Sequence, residues 1–220
     1  MALLNNNNIE SRNLTLENDS LKTNGALVSI QPPSGWYVST TSKLVHPDLP
    51  KETFFLFKDA AESKSVIGVY FSGIVLDDAN AFARKEHIFS EPLSLKSGTE
   101  EAKKPVSETG PRRRITQLGH VIMRAAPHPV LSDEKYCLAA ISTEFKDMKC
   151  VMFEFLNEDL GTKTVEYCID VLGDGRVVYF LYYLAPINAF AEGIDHAVNT
   201  FKTSVWRTDF DPMVSLDVIN

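Results

Sequence analysis

The stretch from Val165 to Val205 restricts the fold more than any other part of the chain. Val165, Tyr167, Ile169 and Val171 alternate with Glu166, Cys168, Asp170 and Leu172, and Gly173, Asp174 and Gly175 then lead into the apolar run from Arg176 to Leu184. Alternation with a period of two is the mark of a strand. Two such runs joined by a Gly-Asp-Gly stretch predict a tight antiparallel hairpin. Pro186 follows and can open a helix at its first position. Ile187, Phe190, Ala191, Ile194, Ala197, Val198, Phe201 and Val205 then keep one helical face apolar, which predicts an amphipathic helix packed on the sheet.

Upstream, Leu118 to Met123, Tyr136 to Phe145 and Cys150 to Leu156 read as further strands, bounded by Pro127, Pro129, Asp147 and the polar run 157–161. Ala26, Val28 and Ile30 alternate with Leu27, Ser29 and Gln31 before Pro32, Pro33, Ser34 and Gly35 stop the strand, and Trp36 and Tyr37 follow as large anchors. Phe54 to Phe57 and Val66 to Val75 flank the polar segment Lys58 to Lys64 and predict another hairpin. Asp77 is a candidate N-cap for a short helix over 77–90, with Ala79, Phe82, Ala83 and Phe89 on its apolar face. Strands, one intervening helix, a meander and a long final helix define an α+β fold in which helices cover an antiparallel sheet.

The expected organisation is a flexible tail over 1–24, one domain over 25–206, and a second tail over 207–220. The first 24 residues have few large apolar side chains, with a single short helical turn as the most structure expected. Between 91 and 114 lies a charged, unpatterned loop, and a loop of that length inside a domain is usually disordered or used for interaction.

With 44% hydrophobic residues, the 220-residue chain can fill one core. Its 22 basic and 29 acidic side chains give a net charge of -7, which disfavours nucleic acid and anionic membrane as general partners. No run approaches the roughly 18 apolar residues of a membrane helix. The opening residues lack a basic and apolar leader, so the expected location is cytoplasmic for a complete chain, and periplasmic or secreted if a signal peptide has been removed. Cys137, Cys150 and Cys168 lie in apolar runs without CxxC spacing. Buried reduced thiols are the preferred reading, and a disulfide between neighbouring strands with one thiol left over is the alternative.

No residue pattern marks a catalytic, cofactor or metal site. His46, His87, His120, His128 and His196 are scattered, without the spacing of metal ligands, and His196 beside Asp195 points elsewhere on a helix. Phosphate loops, a GxSxG elbow and an EF-hand register are all missing. Asp77 with Asp78, and Glu158 with Asp159, sit at cap and loop positions. Cys168 occupies the face opposite Val165 and is the thiol expected to be accessible if that face is uncovered. Tyr179, Phe180, Tyr182 and Tyr183 read as core rather than a ligand pocket. Arg112, Arg113 and Arg114 form the one compact basic cluster and are the candidate interaction residues, with a solvated loop end as the plainer reading.

Val28, Ile30, Pro33, Gly35 and Trp36 resemble the opening strand, turn and Trp of the Mog1/PsbP-like (DcrB-type) fold family. Gly175 to Phe180 and the helix ending between Phe201 and Trp206 resemble its closing section. The resemblance spans about 25–206 and implies a non-enzymatic α/β/α sandwich acting by binding or assembly, with no cofactor and no site carried over residue by residue. The long loop at 91–114 and the residues between Trp36 and Val66 are the places where the chain departs from that pattern. The expected function is that of a binding or accessory protein with another protein as partner. The alternative is a small hydrolase or ligand-binding protein whose site is assembled from separate loops.

Overall fold

The hairpin read from Val165 to Leu184 is present, and its second strand is buried along its whole length: every residue from Val177 to Ala185 is inaccessible. A strand buried on both faces must be covered from both sides. The computed structural model describes residues 15–17, 20–22, 25–39, 53–59, 64–90, 92–96 and 135–211. In chain order its elements are β1 (Thr15–Glu17), β2 (Ser20–Lys22), β3 (Leu27–Ile30), β4 (Trp36–Ser39), β5 (Thr53–Asp59), β6 (Val66–Ile74), α1 (Asp78–Phe89), β7 (Ser94–Leu95), β8 (Lys135–Phe145), β9 (Met148–Asn157), β10 (Thr162–Asp170), β11 (Val177–Pro186), α2 (Ile187–Thr203) and β12 (Val205–Trp206). Eight strands form an antiparallel sheet in the order β4-β5-β6-β11-β10-β9-β8-β7, and a small sheet runs β1-β2-β3-β12.

This is the α+β, α/β/α arrangement expected. On one side of the large sheet, Val177, Tyr179, Leu181 and Tyr183 of β11 join Val165 and Ile169 of β10 and Phe190, Ala197 and Phe201 of α2 in one core. Phe201 meets Tyr167 edge-on with ring centroids 5.5 Å apart, and Phe190 lies 5.3 Å from Tyr183. Ala26, Leu27 and Ile30 add the small sheet to this layer, and Gln31 N donates to Thr203 Oγ1 at 2.9 Å. On the other side, Val178 and Phe180 pack with Val151, Phe153, Phe155 and Cys168 beneath Ile88 of α1. No helix among the described residues is long and apolar enough to cross a membrane.

The sequence pattern misplaces several local features. Asp77 does cap α1, accepting from Asn80 N at 2.8 Å, but the buried face carries Ala81 and Ile88, and Phe82 is 63% exposed. Gly175 sets that face: a Cβ there would lie 2.3 Å from the Ala81 carbonyl oxygen, so the helix seats Ala81 directly on the hairpin. Pro186 is the N-cap of α2 and not its first helical residue. Ile187 and Val205, expected on the apolar helical face, are exposed, as is Tyr37. Val205 falls in β12 because Ser204 ends the helix, its Oγ donating to Phe201 O at 2.6 Å. Strands β1 and β2 lie within the segment expected to be a tail, and Phe210 beyond position 206 is buried in the core. The expected strand over 118–123 lies outside the described residues.

Two tyrosines on β11 point to opposite faces and each rests on a glycine. A Cβ at Gly68 on β6 would lie 2.1 Å from Tyr182 Cζ, and one at Gly193 on α2 would lie 2.0 Å from Tyr183 Oη. In an exposed helix interior, replacing Gly by Ala gains about 1 kcal/mol. Here the extra methyl collides with the tyrosine, so Gly193→Ala should lower stability by about 1–3 kcal/mol. Urea unfolding measures the loss, and adding Tyr183→Phe should recover part of it. A stabilised Gly193→Ala protein would contradict this packing.

Candidate functional site

Where β10 turns into β11, the hairpin tip meets the end of β6, the start of α1 and the chain beyond β12. A single arginine links the first three of these. Arg176 Nε donates to Asp174 Oδ2 at 3.1 Å, one terminal nitrogen donates to the Leu76 carbonyl at 3.0 Å, and the other pairs with Asp78 in the first turn of α1. Asp174 Oδ1 also accepts from Arg176 N at 2.9 Å. Leu76 and Arg176 are 100 residues apart in sequence, so one guanidinium fork ties the two halves of the sheet together.

Around this fork lies an open groove of about 560 Å³. Leu76, Leu172 and Phe210 supply its apolar parts, and Asp78, Asp174, Asp209 and Asp211 line it too, with Arg176 as the one basic lining residue.

Beneath the hairpin, Asp170 is completely buried. Its carboxylate accepts from Gly173 N at 3.1 Å and from Gly175 N at 3.2 Å on Oδ1 and 3.0 Å on Oδ2. Both glycines have positive φ, 74° and 81°, which turns their amides inward at little steric cost. Burial pushes the Asp170 carboxyl up from 3.8 to about 6, and neighbouring Asp174 adds to the rise; the two amide bonds and Lys85 oppose it. On the same side Arg84 of α1 is shifted down by burial despite the negative field of Asp170.

Cys168, expected to be reachable on an uncovered face, is 0% exposed beneath α1. Burial pushes its thiol well up, as it does that of Cys150, so neither supplies a thiolate nucleophile. All three cysteines are free and buried, which corrects the disulfide alternative. Asp77 and Asp78, considered as a carboxylate pair, act as a helix cap and as a partner of Arg176. His196 and Asp195 are exposed on α2. Among the described residues, no group of three or more His, Cys, Asp or Glu side chains is arranged to hold a metal ion. Arg112, Arg113 and Arg114 lie outside the described residues, as do His46, His120, His128 and most of the 91–114 loop.

The groove itself was missed in the sequence. Its residues come from three distant segments, and only the Gly-Asp-Gly turn signalled that a structured tip exists. Asp170 carried no such signal, since the alternation placed it with Glu166 and Cys168 on the face opposite Val165, and only the cover of α1 and the hairpin buries it.

No protein-family profile matches the chain, and no curated protein sequence is significantly similar to it. Among solved structures, the solution structure of cyanobacterial PsbP (CyanoP) from Synechocystis sp. PCC 6803 is similar at 10% identity with a TM-score of 0.45, covering 81% of this chain and 86% of that one. The likeness concerns the fold.

Two outcomes follow from this geometry. Because the Asp170 value is higher in the folded than in the unfolded chain, the group favours folding while protonated. That contribution is lost as pH rises from about 4 through about 6, costing on the order of 2–3 kcal/mol at neutral pH. Asp170→Asn removes the charge and keeps an acceptor, so denaturation midpoints measured across this window should flatten and rise on the neutral side. A variant with unchanged pH dependence would refute the assignment. Separately, the native protein should leave Cys137, Cys150 and Cys168 unlabelled by a thiol reagent, with all three reacting once urea unfolds it. Fast native labelling of Cys168 would show that α1 does not cover it.

Proposed function

We propose that the chain is a non-enzymatic binding or accessory protein that acts through protein-protein contact, with the groove at the hairpin end as its contact surface. The observation that carries this reading is the composition of the groove, whose lining combines the apolar Leu76, Leu172 and Phe210 with four carboxylates. Apolar area supplies affinity while surrounding charge steers and selects a partner of opposite sign. The chemistry fits a partner segment that presents an apolar side chain beside Lys or Arg. Arg112, Arg113 and Arg114 are proposed as a separate electrostatic contact for an acidic surface.

A photo-crosslinker placed at exposed Thr208 on the groove, compared with one at exposed Ile187 at the opposite end of β11, tests the proposal. The Thr208 position should yield a discrete protein adduct that Ile187 does not. With that partner purified, Asp209→Lys should weaken binding about tenfold, a loss of about 1.4 kcal/mol. Binding unaffected by Asp209→Lys would move the contact away from the groove. Reproducible turnover in a hydrolase-substrate screen, with no adduct at either position, would overturn the non-enzymatic reading.

A further inference from the structure

Asp170 is a wholly buried carboxyl covered by a short hairpin, and the hairpin is one wall of the groove. The hairpin is anchored at its two ends: Val75 N donates to the Arg176 carbonyl, Arg176 to the Leu76 carbonyl and Val171 N to the Val177 carbonyl, each at 3.0 Å, and Val171 is buried in the core. Arg176 grips Asp78, whose side chain is 87% exposed, and Asp174, which is itself part of the tip. Gly175 rests against the Ala81 carbonyl oxygen and Lys85 of α1. Between those ends the tip over 172–174 is only half-buried, and the Gly173 and Gly175 amides tie it inward to Asp170 itself. A half-exposed tip between anchored strands opens at a lower free energy than the strands themselves.

We propose that the hairpin tip over 172–175 is a proton-sensitive latch, closed on α1 while Asp170 is protonated and released more readily once Asp170 ionises, so that the shape of the groove depends on pH. Lifting the hairpin brings water to a carboxylate that is otherwise dry. The ionised form gains hydration on opening, and the neutral form gains far less. Charged and titratable groups approach Asp170 from several elements. Asp174 in the hairpin repels the charge, whereas Lys85 and Arg84 on α1 attract it. Cys168, on the same strand, is neutral because burial raises its thiol, and Glu166 is the next acid along that face. Tyr70 of β6 faces Arg84. The register partners are Lys149 on β9, exposed at the sheet surface, and uncharged Val178 on β11. Despite two cations and two amide bonds, burial prevails, so closure and protonation favour each other. The relevance of the latch to partner binding rests on the groove proposed above; the latch itself is a property of the chain alone.

Hydrogen exchange of the Gly173 and Gly175 amides, corrected for intrinsic rates, tests it without any partner. Linkage between a carboxyl titrating at about 6 when closed and at its ordinary value when open predicts protection about tenfold lower at about pH 7.5 than at about pH 5. In Asp170→Asn the two pH values should give equal protection, while the slowest amides of β11 report that the core is intact. Protection that is flat or rises with pH in the native protein, or a pH dependence that survives in Asp170→Asn, overturns the latch. Should that variant fail to fold, the side-chain carboxyl carbon of Asp170 is titrated by NMR in the native chain: a midpoint near 6, shared by both glycine amide protons, supports the latch, and a midpoint near 4 overturns it. If exchange behaves as stated but Thr208 crosslinks nothing, the groove reading fails and the latch stands; the reverse result separates them the other way.

Discussion

Burial of β11 on both faces is the constraint on which the rest of the molecule depends. Val177, Tyr179, Leu181, Tyr183 and Ala185 need cover on one side, and Val178, Phe180, Tyr182 and Leu184 need it on the other. Each large side chain removed from water contributes about 1.5–3 kcal/mol, so leaving either face open would forfeit several such contributions. The neighbouring strands β6 and β10 satisfy its backbone groups; α2 closes one face, and on the other α1 covers Val178 and Phe180 while Tyr182 and Leu184 pack with Val66 and Tyr70 of β6. Antiparallel pairing on both flanks then brings β6 beside β11 although they are far apart in sequence, with the Arg176 fork holding the end of that pairing together.

The two layers are chemically unequal. Beneath α2 the core is almost wholly aliphatic and aromatic, and it is extended by Trp206, which meets Tyr179 edge-on at 5.2 Å and donates through Nε1 to Ser204 Oγ at 2.7 Å. Beneath α1 the same strand β10 buries Glu166, Cys168 and Asp170, with Arg84 over them. Protein interiors accept such groups only when partners and hydrogen bonds compensate for lost hydration. One side of the sheet is therefore inert packing. The other holds buried titratable groups, and it adjoins the groove at the end of the sheet.

Much of the architecture was legible because it rests on short-range patterns. The alternation around Ile169, the Gly-Asp-Gly turn, the cap at Asp77 and the long apolar stripe of α2 each lie within a few residues, and each element forms where those signals place it, give or take a few positions. The face of α1 was not legible. Ala79, Phe82, Ala83 and Phe89 compete with Ala81 and Ile88 for burial, and only the close approach of Gly175 from another element decides between them. For the same reason the site was hidden. Leu76, Asp78, Arg176 and Phe210 acquire a common purpose only after β6 and β11 pair, and no local spacing records that event.

The paired glycines and tyrosines also bear on how this sequence can vary. Tyr182 fills the space above Gly68, and Tyr183 fills the space beside Gly193. A side chain at either glycine requires a smaller partner at the corresponding tyrosine, and a smaller residue at the tyrosine leaves a void unless the glycine grows. Each pair is thus a single unit of inheritance: chains that share this fold should change positions 68 and 182 together, and 183 and 193 together, or keep both as they are.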